Sequence, residues 1–235
     1  MNKSVLLISD QHAPYHHQDT LAFLKAIKEE IQPDRVINLG DETDQHAWSF
    51  HSSEPDLLSP GNELKAAKKY ITELHSIFPV MDLVESNHGS LFFRKALANG
   101  LPYDLFKPYN QLWGVGDSWL WHFDLSIKLP NGQSCYFHHG KNADVTKLSK
   151  AMSMNAIQGH YHEKFKIEYW RNPSQTYWGM QTGCLIDHKS MAFAYNKNNL
   201  HRPILGTGVI VDSRPALVPM ELTKSGKWDK KLRFI

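Results

Sequence analysis

The N-terminal part of the chain alternates short apolar runs with segments in which apolar residues recur at helical spacing. Short apolar runs of this kind are typical of buried strands, and they occupy residues 5–8, 35–39 and 80–84. Apolar positions at 21–31 predict a helix that Asp19 would cap and Pro33 would end. A second helix is predicted at 64–78. The strand–helix–strand–helix–strand order predicts a parallel sheet with right-handed crossovers.

The pattern changes after residue 118. Two apolar stretches at 119–127 and 134–139 flank Pro130-Asn131-Gly132, which predicts a β-hairpin. A short helix at about 143–154 and a strand at 156–158 are expected next.

The remainder of the chain, residues 163–235, predicts mostly β structure. Strands are expected at 165–167, 207–211 and 216–218. No internal repeat or low-complexity linker divides the sequence. Residues 1–235 are therefore expected to form one α/β domain, with either two sheets or a parallel sheet extended by an antiparallel one.

Composition narrows the class of protein. Hydrophobic residues make up 41% of the 235 residues and charged residues 21%, which is enough for a substantial core and excludes a disordered chain. A net charge of +2 gives no whole-protein argument for nucleic acid or membrane. Cys135 and Cys184 cannot make a disulfide framework, so a reducing compartment is expected. No apolar run approaches the roughly 18 residues of a membrane span, so a cytoplasmic location without membrane contact is expected.

Five predicted strands run into residue types that bind metals, and the chain holds 14 histidines. The segments are Asp10-Gln11-His12, Gly40-Asp41-Glu42-Thr43-Asp44, Asn87-His88, His138-His139-Gly140 and Gly159-His160-Tyr161-His162. In open α/β sheets, ligands bind beyond the carboxyl ends of the strands. The five segments are therefore expected to meet at one rim.

Spacing and ligand type point to metal chemistry. Residues two apart on an extended segment face the same side, so Asp10 would face one site with His12, and His160 with His162. Mixed carboxylate, imidazole and amide ligands suit Mn, Fe or Zn. Seven candidates fit two ions that share a carboxylate. The motifs Gly-Asp-x-x-Asp and Gly-His-x-His are each expected only about 0.05 times by chance, whereas Asp-x-His and Asn-His are common.

In this order the motifs resemble those of the calcineurin-like metallophosphoesterase superfamily, over residues 10–162. The resemblance implies a four-layer α/β/β/α sandwich of two mixed sheets with a dinuclear metal centre. By resemblance, a first ion would be bound by Asp10, His12 and His162. A second ion would be bound by Asn87, His139 and His160, and Asp41 would bridge the two. Mn²⁺ is favoured for both ions, with Fe, Zn or Ni as alternatives.

The resemblance also implies the catalytic groups. His88 would protonate the leaving oxygen while Asp44 holds its imidazole, and a hydroxide held by the two ions would attack phosphorus in line. His139 is favoured over His138 as the ligand because it adjoins Gly140. Arg94, on a short helix after His88, is a candidate phosphate contact.

The chain departs from the usual pattern at three positions. Ser86 stands where a glycine usually precedes Asn-His, and Gly89 stands where an acid usually follows. Gln45 replaces the arginine typical of the protein-phosphatase branch, which counts against a protein Ser/Thr phosphatase. The stretch at 86–90 resembles that of compact phage-encoded members of the superfamily. For a phage-encoded protein, the expected cytoplasmic location would be the cytoplasm of the host.

The expected function is therefore metal-dependent phosphoester hydrolysis, with a preference for phosphodiester substrates, DNA or RNA among them. Phosphomonoester hydrolysis, on small molecules or phosphoprotein, is the alternative. Two other classes of protein fit the sequence less well. A scaffold that kept the fold and lost the chemistry would be expected to lack some of the ligands. A metal-buffering protein would be expected to cluster its histidines away from strands.

Two further segments are candidates for substrate contact. His46 lies just past the second metal motif, on a loop that could reach substrate. Near the C-terminus five cations fall within ten residues around Trp228, namely Lys224, Lys227, Lys230, Lys231 and Arg233. This segment is either a nucleic-acid contact or a solvated tail.

Overall fold

The computed structural model describes residues 3–50, 54–190, 192–193 and 200–235. Its helices are α1 (Thr20–Ile31), α2 (Pro60–Ile77), α3 (Leu91–Ala98), α4 (Tyr109–Trp113) and α5 (Val145–Met152). Its strands are β1 (Ser4–Ile8), β2 (Arg35–Asn38), β3 (Met81–Val84), β4 (Trp119–His122), β5 (Leu125–Lys128), β6 (Ser134–His138), β7 (Asn155–Gln158), β8 (Phe165–Arg171), β9 (Thr176–Thr182), β10 (Gly206–Val211) and β11 (Arg214–Pro219).

The strands form two mixed sheets. The six-stranded sheet has the order β11-β10-β1-β2-β3-β4, in which β1 to β4 are parallel and β10 and β11 are antiparallel. The five-stranded sheet has the order β5-β6-β7-β9-β8, with a parallel centre and antiparallel edges. The parallel strands need crossovers, and helices supply four of them: α1 between β1 and β2, α2 between β2 and β3, α3 with α4 between β3 and β4, and α5 between β6 and β7.

Side chains that alternate along β1 separate the layers. Leu6 and Ile8 pack towards α1 and α2, whereas Val5 and Leu7 pack towards the five-stranded sheet. On the far side of that sheet, Val145 and Leu148 of α5 pack on Tyr136 and Ala156. The predicted α/β/β/α sandwich is confirmed, with α5 alone as its fourth layer among the described residues.

The predicted strand at 119–127 is wrong in one respect, because it is two strands in different sheets. β4 pairs with β3 in the six-stranded sheet, and β5 pairs with β6 in the predicted hairpin. The chain crosses between the sheets at Phe123-Asp124. Trp119 packs in the core on the helix side and Ile127 in the core between the sheets, so a continuous apolar stretch fills two different cores.

The C-terminal segment packs against the domain, so the expectation of a free solvated tail is wrong, whereas its four lysines stay exposed and the nucleic-acid contact stays a prediction. Trp228 is buried against Phe23, with ring centroids 5.3 Å apart. Arg233 forms an ion pair with Asp229 at 2.7 Å. Ile235 exchanges two main-chain hydrogen bonds with Leu217, at 2.7 and 2.9 Å, so the chain end lies along β11.

Smaller departures concern caps and loops. Asp19 makes no side-chain cap to α1 and instead accepts a hydrogen bond from the main-chain N–H of Trp228 at 2.9 Å. The sequence patterns missed α4 and β9 as separate elements. His51 and the serines at 52–53, which precede α2 in the chain, lie outside the described residues. In the part of the chain that is described, every helix is too short or too polar to cross a bilayer.

Candidate metal centre

The carboxyl ends of five parallel strands meet between the two sheets. β1, β2 and β3 of one sheet and β6 and β7 of the other each end at a predicted motif. Within the described residues, three groups of histidine and aspartate could each hold a metal ion, namely Asp10-His12-His162, His12-Asp44-His88 and Asp41-His139-His160. In each group the ligand atoms lie within 4.8 Å of one another. The first and third groups match the two ion sites that the resemblance implies, apart from Asn87.

The backbone turns sharply at the metal-ligand candidates. Asp10, His12, Asp41 and His160 have φ angles of 49°, 51°, 52° and 68°, in the left-handed region that side chains other than glycine seldom adopt. The expectation that these segments are extended is therefore wrong. Their side chains converge because the chain bends at each strand end. Left-handed backbone at a non-glycine residue carries strain, which is typically concentrated at functional sites.

The first group joins the end of β1 to the loop after β7. His162 Nε2 lies 3.1 Å from Asp10 Oδ1 and 3.2 Å from His12 Nε2. The Asp10 carboxylate also accepts hydrogen bonds from the His160 main-chain N–H, at 2.9 and 3.1 Å, and from the Ser9 hydroxyl. One carboxylate therefore fixes the approach of both sheets to this group.

The second group surrounds His139, which faces the site while His138 faces away from it. His139 Nε2 lies 2.8 Å from Asn87 Oδ1 and 3.1 Å from Asp41 Oδ2. His160 Nδ1 lies 3.2 Å from the same nitrogen. Asn87, which the three groups above leave out, thus joins this second group as the resemblance implied.

Asp41 lies between the two groups. Its Oδ2 is 3.4 Å from His12 Nε2 and 3.1 Å from His139 Nε2, one nitrogen in each group. Its Oδ1 accepts a hydrogen bond from the His88 main-chain N–H at 3.0 Å. The carboxylate is only 1% exposed. This is the position that a bridging ligand would occupy.

The donor atoms fit a cation because several acceptors face one another. His139 Nδ1 must carry a proton, since it donates to the Leu39 carbonyl at 2.9 Å. In the neutral ring, Nε2 then presents a lone pair to the Asn87 and Asp41 oxygens. Facing lone pairs repel unless a proton or a metal ion lies between them. Imidazole, carboxylate and amide oxygen are ligands that Mn, Fe and Zn accept.

The charges of the site also favour the binding of a cation. Burial alone would lower the pKa of His12, but contacts with Asp10, Asp44 and Asp41 raise this pKa to about 10. The Asp41 carboxylate likewise overcomes burial and raises the pKa of His139 to about 9. The neighbouring histidines hold the carboxyl pKa values of Asp10 and Asp41 below their usual range, despite burial. The site therefore attracts positive charge, which protons or metal ions can supply.

His88 is held differently from the sequence-based expectation. Its Nδ1 donates to the main-chain carbonyl of Asp44 at 2.6 Å, whereas the nearest carboxylate oxygen of Asp44 is 3.5 Å away. That oxygen instead pairs with His12 Nδ1 at 2.6 Å. Asp44 thus orients two imidazoles, one through its main chain and one through its side chain.

The two predicted substrate contacts lie at the edge of the site. Arg94 Nη2 donates to the Asn87 main-chain carbonyl at 2.5 Å, and Arg94 is otherwise exposed. His46 Nε2 accepts from the Glu54 main-chain N–H at 2.9 Å, and its Nδ1 lies 3.8 Å from Asp44 Oδ2. Both side chains are therefore held near the candidate ligands.

Sequence reasoning missed the residues that hold the loops together, although two of them were noted as departures. Ser86 Oγ accepts from the main-chain N–H groups of Asp41, at 2.8 Å, and Gly89, at 3.1 Å. The Gln45 side-chain amide donates to the Gly89 carbonyl and accepts from the Phe92 N–H, both at 3.0 Å. A side chain at 89 would begin 3.5 Å from the buried Glu42 carboxylate, whose pKa burial raises to about 7.

Two motif glycines mark very close approaches. A Cβ atom on Gly40 would lie 2.5 Å from Ser86 Cβ, and one on Gly159 would lie 2.0 Å from Ser9 Oγ and 2.4 Å from Asp10 Oδ2. Gly40 also has a φ of 101°. Any side chain at these positions would push apart the loops that carry the candidate ligands.

Comparison with known proteins places this site in a familiar fold. The chain has the calcineurin-like metallophosphoesterase fold, which it shares with Vps29 from Chaetomium thermophilum, at a TM-score of 0.56 and 11% identity over 100% of this chain and 96% of that one. Vacuolar protein sorting 29 from Cryptosporidium parvum matches at 0.52 and 13%, again over 100% and 96%. YfcE, a phosphoesterase from E. coli, matches at 0.50 and 12%, over 99% and 98%.

A sequence relative comes from a bacteriophage. The gene 54 protein of Mycobacterium phage D29 is 27% identical over 213 residues, which span 80% of this chain and 82% of that protein. No protein-family model matches the chain. The metallophosphoesterase recognition is thus confirmed at the level of the fold, and the phage relative agrees with the predicted resemblance to compact phage members.

Proposed function

We propose that this protein hydrolyses phosphoesters with the help of two divalent metal ions. The observation that carries the proposal is the convergence of seven ligands from two sheets into two groups, with the Asp41 carboxylate between them and acceptor atoms facing one another. Ligands rich in imidazole favour Mn²⁺, with Fe, Zn or Ni as alternatives, over Mg²⁺.

The ions, when bound, would neutralise the phosphoryl oxygens and lower the pKa of a water molecule. The protein residues supply the rest. The buried carboxylates of Asp10 and Asp41 fix the ligand histidines through the contacts described above. The Leu39 carbonyl keeps Nδ1 of His139 protonated, which leaves Nε2 as the metal-binding atom.

His88 is positioned to act as the proton donor to the leaving oxygen. Because Nδ1 donates to the Asp44 carbonyl, Nε2 is the nitrogen that can release a proton. The ring is 26% exposed, so a substrate can reach it, while its main-chain N–H is anchored to Asp41. A general acid in such a position contributes about 10²–10⁴-fold to the rate.

A phosphodiester substrate is favoured over a phosphomonoester. The position after Asp44 carries Gln45, whose amide is used on the Gly89 and Phe92 main chain. This position therefore offers no cation to the second negative charge that a monoester carries. Hydrolysis of small phosphomonoesters is the alternative within the same chemistry.

A catalytically silent scaffold is the second candidate, because two of the solved structures with this fold are named for vacuolar protein sorting rather than for hydrolysis. Fold alone does not decide between the two functions. All seven candidate ligands and His88 are present and assembled here, which supports the hydrolase.

The test is metal-reconstituted hydrolysis. Protein stripped with EDTA should be inactive, and Mn²⁺ should restore more hydrolysis of bis-p-nitrophenyl phosphate than Mg²⁺, with lower activity on p-nitrophenyl phosphate. The Asp104→Asn variant, which changes an exposed carboxylate outside the site, serves as a control and should behave as wild type. Brisk monoester hydrolysis with no diester hydrolysis would reverse the substrate preference. Absence of hydrolysis with any of Mn²⁺, Fe²⁺, Zn²⁺ or Ni²⁺ would favour the scaffold.

A further inference from the structure

Three aromatic side chains with cations beside them stand around the candidate metal centre. Phe123 is 70% exposed, Phe50 is 52% exposed, and Tyr161 is partly exposed. Each ring lies within a cation–π distance of a lysine or arginine. These three aromatic–cation clusters, centred on Phe50, Phe123 and Tyr161, include none of the candidate metal ligands, although they contact them.

The first cluster borders the Asn87 side of the site. The Phe50 ring centroid lies 4.9 Å from Lys95 Nζ and 5.7 Å from Arg94 Cζ. Arg94 in turn holds the Asn87 carbonyl, so this cluster is one contact away from a candidate ligand. Lys95 is anchored on the Ser49 carbonyl at 3.0 Å.

The second cluster borders the β6 side. The Phe123 ring meets the ring of His138, the neighbour of the candidate ligand His139, edge-on at 6.0 Å. Lys141 Nζ lies 6.0 Å from the Phe123 centroid and 5.9 Å from that of Tyr136. An exposed ring and a cation thus stand beside the second ion group.

The third cluster lies within the last metal motif. Tyr161 stands between two candidate ligands, and its ring meets that of His160 edge-on at 4.9 Å. Lys164 Nζ lies 5.0 Å from the Tyr161 centroid. A ring and a cation therefore stand in contact with, or one residue away from, the candidate ligands at three places around the centre.

We propose that the three aromatic–cation clusters bind a single-stranded nucleic acid and present one of its phosphodiesters to the metal centre. This inference rests on the proposed function for the cleavage step, but not for the binding. Exposed rings stack on unpaired bases of any sequence, and the cations beside them pair with the flanking phosphates. In a duplex the bases already stack on one another, so the rings would gain nothing. A protein partner would also pack on the rings, but it would need an acidic group to pair with the cations of every cluster.

The binding test uses metal-free protein in EDTA, so that cleavage plays no part. Fluorescence anisotropy would compare fluorescein-labelled dT20 and rU20 with a 20-base-pair duplex. We expect at least one single strand to bind more tightly than the duplex. Phe123→Ala and Phe50→Ala should each weaken strand binding about 5- to 100-fold, the usual effect of losing one base stack. Lys141→Ala should flatten the dependence of log K on log salt by about 0.7.

Matched controls lie away from the rim. Tyr169→Ala removes an exposed aromatic ring from β8, and Lys128→Ala removes a cation from the far end of the β5–β6 hairpin. Both should bind like wild type. All five variants change exposed residues and should keep the wild-type melting temperature in EDTA, which shows that the fold is intact. The two control variants should also keep the wild-type rate on bis-p-nitrophenyl phosphate.

Two outcomes would overturn the proposal. One is tighter binding of the duplex than of either strand. The other is unchanged strand affinity in both Phe123→Ala and Phe50→Ala. If wild type binds single strands through these rings but hydrolyses no diester, the proposed function fails and the binding surface stands.

Discussion

The two sheets contribute to the candidate metal centre in different ways. Ligands after β1 and β2 are almost fully buried, with Asp10, His12 and Asp41 at 0–1% exposure. On the side of the five-stranded sheet, His139 is buried, but His160 is exposed and the side chain of His162 is 13% exposed. The six-stranded sheet thus supplies a fixed anionic pocket, and the five-stranded sheet supplies imidazoles that close it from the solvent side.

The difference teaches how the site is assembled. Each predicted ion would take ligands from both sheets, so the ions would join two layers that otherwise meet through the apolar core between them. The anionic pocket costs free energy by burying carboxylates side by side, and positive charge on His12, on the histidines of the other sheet or on metal ions can offset this cost. The comparison predicts that substitutions at the six-stranded sheet change turnover and metal binding to a different extent from those at the five-stranded sheet.

Asp41→Asn should have the largest effect, because it removes the charge that both ion groups share. We expect turnover to fall by at least about 10³-fold, since charge stabilisation worth several kcal/mol is lost. Both ions should bind more weakly, as measured by metal content after gel filtration. Two tightly held ions with normal turnover in the variant would exclude the bridging role.

His88→Ala changes a residue on the six-stranded side that is not a predicted ligand. It should keep the metal content and lower kcat by about 10²–10⁴-fold. The defect should shrink for substrates with good leaving groups, which need no proton. Rates measured on aryl phosphodiesters of graded leaving-group pKa check this. An equal loss across the series would contradict the proton-donor role.

His12→Ala and His160→Ala compare the two sides directly. Removal of the buried His12 takes away one ligand and leaves the Asp44 carboxylate without its partner at 2.6 Å. We therefore expect the ion to bind about 10³-fold more weakly, which exceeds the about 10–100-fold cost of changing an outer-shell residue. Water can replace the exposed His160, so about 10–100-fold is expected there. Calorimetric titration with Mn²⁺ would measure both. A larger effect at His160 would reverse the assignment of the fixed pocket.

The smallest expected effect is in proton release. In metal-free protein His12 and His139 have pKa values of about 10 and 9, so both are protonated at pH 7.5. Binding of the ions should release about two protons, seen as a dependence of the calorimetric heat on the buffer. Retention of both protons on binding would exclude these two nitrogens as ligands.

The same pKa shifts give a pH dependence for the metal-free protein. The folded-state pKa values lie above the unfolded value of about 6.5. Their stabilising contribution is therefore complete below pH 6.5 and is lost as the pH rises through 9 to 10. Thermal melting in EDTA should show this decline, which bound ions should remove.

The strand ends and the motifs that follow them were enough to predict the layers of the sandwich and the convergence of the candidate ligands. Parallel strands of β1, β2 and β3 must end at one edge, whatever the loops do. The left-handed turns at Asp10 and Asp41 were not predictable, because only a small fraction of Asp residues adopt this backbone although Asp is enriched there. They arise from main-chain and side-chain bonds between loops that are distant in sequence, such as His160 N–H to Asp10.

Elements that depend on long-range packing were predicted less well. The apolar stretch before the hairpin continues through two sheets, and periodicity does not show in which core each part lies. The cations near the C-terminus suggested a free segment, but Trp228 anchors it to α1 and Ile235 to β11. Local charge patterns do not report such contacts, of which the one between Trp228 and Phe23 joins residues 205 positions apart.

The close approaches at Gly40 and Gly159 have a consequence for how related chains diverge. These glycines bind nothing, and they are required because loops from different strands touch there. Selection for the fold and selection for metal binding therefore act on neighbouring residues of the same motif. A descendant that became a scaffold could lose Asp41 or His160 freely but would still need the glycine before each. Glycines retained beside lost ligands would thus be the trace of a former metal site in a chain that kept the fold.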